Sequence, residues 1–107
     1  MPKLLPPIHP GEIIREDVLV PLNMSVNQLA KLLAVDAARL NEIVRGRRGI
    51  TADTALRLAR YLGTSAEFWL NLQSHYELRV ARQAKQKDID RAVRPRVKRS
   101  PDHLDAA

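Results

Sequence analysis

The sequence predicts an all-α fold built from five helices. Apolar residues recur at helical spacing in five segments, and no stretch shows the strict alternation that is typical of strands. These segments are bounded by residues that start or stop helices, namely Ser, Thr or Asp before them and Gly or Pro after them. The length of 107 residues suits one domain with room for flexible ends.

The N-terminal residues predict an extended arm followed by the first helix. Prolines at positions 2, 6, 7 and 10 remove backbone donors and restrict the residues before them, so residues 1–9 are expected to be extended. Pro10 suits the first position of a helix. Pro21 is expected to end this helix at about Val20.

Residues 26–46 predict two short helices joined by a tight turn. Ser25 and Gln28 form a capping-box pattern before the first of them, and Asp36 is a suitable N-cap for the second. Gly46 suits a left-handed turn after the second helix. The residues expected to be buried are Leu29, Ala30, Leu32 and Leu33 in the earlier helix, and Leu40, Ile43 and Val44 in the later one.

The last two helices follow Thr51 and Ser65, which are suitable N-caps. The helical domain is expected to span residues 10–81, with its fifth helix continuing to about residue 94. Residues 95–107 contain two prolines and few apolar side chains, so a disordered tail is expected there.

The net charge of +6 lies mainly in the C-terminal part of the chain. Residues 1–78 carry nine Lys and Arg against eight Asp and Glu, whereas residues 79–107 carry nine against four. A basic chain favours polyanionic partners. Because the excess lies in the tail, the total charge does not by itself identify the folded part as nucleic-acid-binding.

The composition argues against several other classes of protein. The chain has no cysteine, which excludes disulfides, thiolate metal sites and cysteine nucleophiles. His9, His75 and His103 are far apart in sequence, and no glycine-rich stretch has a phosphate-binding pattern. The apolar runs are shorter than the ~20 residues needed to cross a bilayer. We therefore expect a cytoplasmic protein that is not an enzyme and needs no cofactor or metal.

The two helices of residues 26–46 have the pattern of a helix-turn-helix. Their contact requires small side chains, which Ala30 and Ala34 provide. Ala34 stands where many such turns have glycine, and a left-handed alanine there costs ~1 kcal/mol. In this motif the second helix enters the DNA major groove and the first crosses the backbone. The alternative is an ordinary helical bundle with solvated charges.

The exposed residues of the second helix are candidates for reading DNA bases. Arg39 can form two hydrogen bonds with guanine and Asn41 two with adenine, while small alanines allow contact with a thymine methyl group. Glu42 is expected to accept from a cytosine amino group or to pair with Arg39 or Arg45. The predicted base-reading residues are Ala37, Ala38, Arg39, Asn41 and Glu42, and the predicted phosphate-binding residues are Arg45, Arg47 and Arg48.

Three motifs are more specific than the helix-turn-helix pattern: HPGEII, RRGITADTALRLA and EFWLNLQ. Through them, residues 8–73 resemble HigA-type, VapI-like antitoxins of the lambda-repressor-like (XRE) class. The resemblance implies the antitoxin of a type II toxin–antitoxin system, a homodimer that represses its own operon at a palindromic operator. It also implies a RelE/HigB-like, mRNA-cleaving toxin as partner. The alternative is a solitary XRE-type transcription regulator without a toxin.

The resemblance further implies that the fifth helix supports the dimer. The predicted interface residues are Phe68, Trp69, Leu72, Tyr76 and Val80. Phe68 and Trp69 have a second interpretation, as residues that complete the monomer core. An RNA-binding toxin is expected to be basic, which favours the acidic side chains of the first helix, Glu12, Glu16 and Asp17, as its contact.

Overall fold

Five helices and their connecting turns make up residues 6–97, the part of the chain that the computed structural model describes. Helix α1 begins as an α-helical turn at Pro10–Ile14 and continues as a π-helical turn at Arg15–Leu19. The other helices are α2 at Val26–Leu33, α3 at Ala37–Val44, α4 at Ala52–Leu62 and α5 at Ala66–Ala92. The described residues form no strand, and the predicted all-α, five-helix fold is confirmed.

The predicted N-caps form because short polar side chains replace missing helical partners. Ser25 Oγ accepts from the Gln28 backbone N–H at 3.1 Å, and Gln28 Oε1 accepts from the Ser25 N–H at 2.8 Å, which completes the capping box. Asp36 Oδ2 accepts from the Arg39 N–H at 3.3 Å and caps α3. These caps fix where α2 and α3 begin.

The prediction that the first helix ends at about Val20, just before Pro21, is confirmed: the π-helical turn ends at Leu19 and Val20 is its C-cap. The chain then forms a turn, in which the Leu22 N–H donates to the Val18 carbonyl at 3.1 Å and the Asn23 N–H to the Val20 carbonyl at 3.0 Å. Pro21 lies in this turn, where its missing N–H breaks no helical hydrogen bond. Asn23, the last residue of the turn, has a left-handed φ of 51°.

One hydrophobic core joins all five helices. Its most deeply buried large side chains are Ile14, Leu29, Leu40, Ile43, Leu58 and Trp69. Leu32 was expected to belong to this core, but its side chain is 51% exposed. The buried side of α2 is formed by Leu29, Ala30 and Leu33, and Leu32 lies beyond the edge of that side.

Helix α5 extends beyond the core. Its N-terminal half packs on α1 and α4, whereas every described residue from 80 to 97 is exposed. It ends at Ala92, close to the expected residue 94. Residues 6–9 of the predicted arm form no helix or strand. Residues 1–5 of that arm and 98–107 of the predicted tail lie outside the described residues. In the described part of the chain, no helix is long and apolar enough to cross a membrane.

Candidate nucleic-acid interface

The turn between α2 and α3 has the left-handed backbone expected of a helix-turn-helix. Ala34 has φ 57° and ψ 44°. The Ala34 N–H donates to the Lys31 carbonyl at 3.1 Å and the Val35 N–H to the Ala30 carbonyl at 3.0 Å, which together form a Schellman turn. An alanine in this conformation costs about 1 kcal/mol relative to glycine. The turn leads directly to Asp36 and therefore sets the direction of α3.

A side chain of α4 also binds this turn. Arg57 Nη1 donates to the Leu33 carbonyl at 3.0 Å and to the Ala34 carbonyl at 2.9 Å. Its Nε donates to Asp53 Oδ2 at 2.8 Å, one turn earlier on α4. A cation at the C-terminal end of α2 also interacts favourably with the helix dipole. Sequence reasoning missed Arg57 because its partners lie more than twenty residues away along the chain.

The predicted base-reading residues lie on the outer side of α3. Ala38 and Arg39 are exposed, and Asn41 and Glu42 are half-buried. Ala37 is also half-buried, because it packs against the edge of the core. Ala38 and Arg39 are therefore the most accessible of the five.

Glu42 has a different partner from those predicted. Its Oε1 accepts from Arg48 Nε at 3.0 Å and also lies 3.0 Å from Arg48 Nη2. Arg39 and Arg45, the expected partners, form no ion pair with it. The reason is that the chain reverses after α3, which brings Arg48 back beside Glu42.

This reversal is a second Schellman turn, and it carries the three arginines predicted to bind phosphate. Gly46 has φ 78°, and its N–H donates to the Ile43 carbonyl at 3.0 Å. The Arg47 N–H donates to the Glu42 carbonyl at 2.8 Å. The side chains of Arg45, Arg47 and Arg48 are exposed at this end of α3. We call residues 45–49 the arginine loop.

The start of α1 contacts the arginine loop and supports it. His9 Nδ1 accepts from the Gly11 N–H at 2.9 Å and caps α1, while its ring is hydrogen-bonded to the main chain of Arg48. The same ring packs edge-on against Tyr76 of α5, with 4.9 Å between ring centroids. A Cβ atom on Gly11 would overlap the carbonyl group of Ile43, so only glycine allows α1 to approach α3 this closely.

Burial changes the acidity of this histidine. It lowers the pKa of His9 below its ordinary value of 6.5, while the hydrogen bond to Arg48 and the nearby Glu77 carboxylate oppose part of the shift. The neutral ring is therefore the form that the folded site favours.

Gln73 of α5 fixes the other end of the arginine loop. Its Oε1 accepts from the Ile50 N–H at 2.8 Å, and its Nε2 donates to Glu77 Oε2 at 2.8 Å. The residue is buried, so both ends of its amide have a partner. The side chain also fills the space beside Gly49, where an added Cβ would lie 2.9 Å from Nε2.

The residues predicted for a dimer interface divide into two groups. The Trp69 side chain is 2% exposed, and its Nε1 donates to Thr64 Oγ1 at 2.8 Å, so it belongs to the monomer core. Phe68 is 44% exposed despite packing edge-on against the Trp69 ring at 5.0 Å. Phe68 lines a groove of about 480 Å³ together with Ile8, Ile13, Leu72, His75 and Tyr76. Val80 is also exposed, one turn beyond Tyr76.

The described residues contain no group of three or more His, Cys, Asp and Glu side chains that could hold a metal ion. What they bring together is a short exposed helix, a capped turn before it and an arginine-bearing turn after it. This arrangement defines a helix-turn-helix domain of the kind whose second helix enters a major groove.

Comparisons with known proteins agree with this class. The helix-turn-helix family model matches residues 14–69. Virulence-associated protein I of Dichelobacter nodosus is 58% identical over 82 residues, which cover 77% of this chain and 76% of that protein. The chain belongs to the XRE-type helix-turn-helix family that includes HigA antitoxins and VapI-like virulence-associated proteins.

Several solved structures of relatives include DNA. Pseudomonas aeruginosa antitoxin HigA with the higBA promoter is 49% identical and has a TM-score of 0.82, covering 85% of this chain and 99% of that one. The antitoxin GraA in complex with its operator is 42% identical and also has a TM-score of 0.82, covering 92% and 99%.

Proposed function

We propose that this chain is the antitoxin of a type II toxin–antitoxin system, and that as a homodimer it binds a palindromic operator and represses its own operon. The observation that carries the proposal is the exposed side of α3, held between the capped turn at Ala34 and the arginine loop. The family includes antitoxins that have been solved with promoter or operator DNA, which supports the same role here.

In this proposal α3 lies in the major groove and the arginine loop follows the DNA backbone. Arg39 and Asn41 read base edges, with Glu42 beside them, and Ala37 and Ala38 allow the helix to approach closely. Arg45 and Arg47 bind phosphates. Arg48 joins them when phosphate competes with Glu42 for its guanidinium group.

The proposed homodimer uses the groove on α5. Phe68, Leu72, Tyr76 and Val80 offer apolar surface next to Ile8 and Ile13, and a second copy related by a two-fold axis covers it. Trp69 supports this surface from inside the monomer core. A two-fold dimer presents two copies of α3 and so matches a palindromic operator.

The proposed toxin is RelE/HigB-like and cleaves mRNA, and we place its contact on the acidic side of α1. Glu12, Glu16 and Asp17 are exposed there, where a basic, RNA-binding toxin finds complementary charge. Glu16 also pairs with Arg15 at 3.1 Å, so Glu12 and Asp17 offer the more available charge.

Alanine at Arg39 tests the DNA-reading role. We expect Arg39→Ala to weaken binding to the preferred duplex by about 1–3 kcal/mol and to relax preference at one base position in each half-site. Arg47→Ala serves as the control, since loss of a phosphate contact weakens binding to all sequences about equally. Unchanged affinity and base preference in Arg39→Ala would show that α3 is not the reading helix.

Co-expression with the adjacent reading frame tests the antitoxin role. We expect a stable complex that contains two copies of this chain and a small basic protein, and relief of that protein's toxicity. Operator binding without such a neighbour would instead identify a solitary XRE-type regulator.

A further inference from the structure

We infer that Arg57 is a positioning residue for DNA recognition: a clamp from α4 that fixes the angle between α2 and α3. The inference rests on the proposed DNA-binding function and adds to it a residue that need not touch DNA. Its basis is the pair of hydrogen bonds from one guanidinium group to the carbonyls of Leu33 and Ala34.

These two carbonyls lie in the turn that connects α2 to α3. Leu33 is the last residue of α2 and Ala34 is the left-handed residue of the turn. Asp36, two residues further on, is already the N-cap of α3. A shift at Ala34 therefore rotates α3 relative to the rest of the domain, and with it Arg39 and Asn41.

The shape of the arginine side chain makes it suitable as a clamp. Nε bonds Asp53 on its own helix at 2.8 Å while Nη1 bonds both carbonyls, so the planar group joins α4 rigidly to the turn. A lysine has a single terminal nitrogen on a flexible stem, and it cannot reproduce this fixed geometry.

The clamp contributes more to position than to overall stability. The Arg57 side chain is 39% exposed, and its bond to the Ala34 carbonyl lies at the surface, so water can take over the carbonyls if the guanidinium is removed. Helix α2 is held in the core by buried apolar side chains, among them Leu29 and Leu33. Without it the domain stays folded, but the turn is free to vary.

The test compares Arg57→Gln and Arg57→Lys with Arg60→Gln. Arg60 is an exposed arginine on the same helix, so its variant removes the same charge without touching the turn. Binding is measured to a duplex that the wild-type protein selects from a random DNA pool and to a scrambled duplex, across a salt series. Melting temperatures are measured alongside.

We expect Arg57→Gln to bind the selected duplex at least about tenfold more weakly than Arg60→Gln does. Both variants should bind scrambled DNA equally, with the same salt dependence, because they have lost the same charge. Arg57→Lys keeps the charge and should still lose most of the selectivity. Equal selectivity in Arg57→Gln and Arg60→Gln would overturn the inference.

The double variant Ala34→Gly, Arg57→Gln separates positioning from stability. Glycine removes the strain of the left-handed turn and should restore the melting temperature, but it leaves the turn unclamped. We expect selectivity to stay low in this variant. If the melting temperature and the selectivity both recovered, Arg57 would only offset the strain at Ala34. That result would overturn the positioning role. If the wild-type protein selects no sequence at all, the proposed DNA-binding function itself fails, which is a separate result.

Discussion

At the scale of single residues, Glu42 controls how much positive charge the arginine loop presents. Its carboxylate holds Arg48 at 3.0 Å and stands on the helix proposed to face DNA. We expect Glu42→Gln to strengthen binding to all duplexes, because it removes a negative charge and releases Arg48. The slope of log affinity against log salt should become steeper by about one phosphate contact.

Titration of binding against salt for the wild type and Glu42→Gln measures this effect. The double variant Glu42→Gln, Arg48→Ala is the control, and it should lose the added slope. A change confined to one DNA sequence would contradict it, since it would indicate that Glu42 reads a base.

His9 makes the stability of the domain depend on pH. Because its pKa is lowered in the folded state, the folded chain binds fewer protons at this site than the unfolded chain. The stabilisation from neutral His9 is therefore complete above about pH 6.5 and decreases as the pH falls through that value. Protonated Nδ1 can no longer accept the Gly11 N–H.

Urea unfolding from about pH 8 to about pH 5 measures this contribution. We expect His9→Asn, which retains a capping oxygen but does not titrate, to flatten the decline on the acidic side. The exposed His75→Asn is the matched control. An equal effect of the two substitutions would show that the pH dependence does not come from the capping site.

At the scale of elements, the approach of α1 to α3 depends on Gly11. We expect Gly11→Ala to lower the free energy of unfolding by about 1–3 kcal/mol, because its methyl group overlaps the Ile43 carbonyl and pushes α1 away. Gly63→Ala is the comparison: it is left-handed, with φ 79°, but has nothing near the added methyl. It should cost only about 1 kcal/mol, from backbone strain alone.

Urea unfolding of both variants measures the difference, and Gly11→Ala should also weaken DNA binding because α1 supports the arginine loop. If Gly11→Ala and Gly63→Ala bound DNA with equal affinity, α1 would not support the arginine loop.

The sequence predicted the elements whose causes are local. Ser25 and Asp36 cap helices through bonds that span three residues, so the pattern of residues was sufficient to find them. Pro21 correctly indicates the end of the first helix, whereas the π-helical turn at Arg15–Leu19 leaves no such pattern in the sequence. Leu32 fits helical spacing, three residues after Leu29, but its side chain lies beyond the edge of the buried side and is 51% exposed.

The three sequence motifs were recognised from their resemblance, but their physical causes needed the structure. HPGEII contains His9 and Gly11, which join α1 to the arginine loop. RRGITADTALRLA contains Asp53 and Arg57, which join α4 to the turn. EFWLNLQ ends in Gln73, which bonds the Ile50 N–H. All three link positions distant in sequence, which periodicity and capping rules cannot reveal.

At the scale of the whole molecule, one copy of this chain presents one copy of α3, the proposed reading helix, and a palindromic site requires two. In related DNA-binding dimers the half-sites are about 34 Å apart, one turn of DNA, and the dimer interface sets that distance. Tyr76 lines the groove on α5 and also packs against His9, which contacts the arginine loop. The proposed dimer interface therefore includes a side chain that packs against His9, and His9 supports the residues proposed to bind phosphate.

Phe68→Asp tests this link. We expect it to weaken dimerisation by at least about 2 kcal/mol, because a charge replaces an apolar side chain in the proposed interface. The monomer should stay folded, since Phe68 is 44% exposed and the core residue Trp69 is unchanged. Sedimentation over a concentration series measures the dimer, and binding to one and two half-sites measures its effect on DNA.

The matched control is Leu56→Asp, which places the same charge at another exposed apolar residue, 63% exposed on the outer face of α4. It should leave the dimer intact. Phe68→Asp should bind a single half-site as the wild type does and lose its advantage on two, because the second reading helix is no longer held at the right distance. A variant that stayed dimeric would place the interface elsewhere, and one that became monomeric yet kept full affinity for two half-sites would separate dimerisation from recognition.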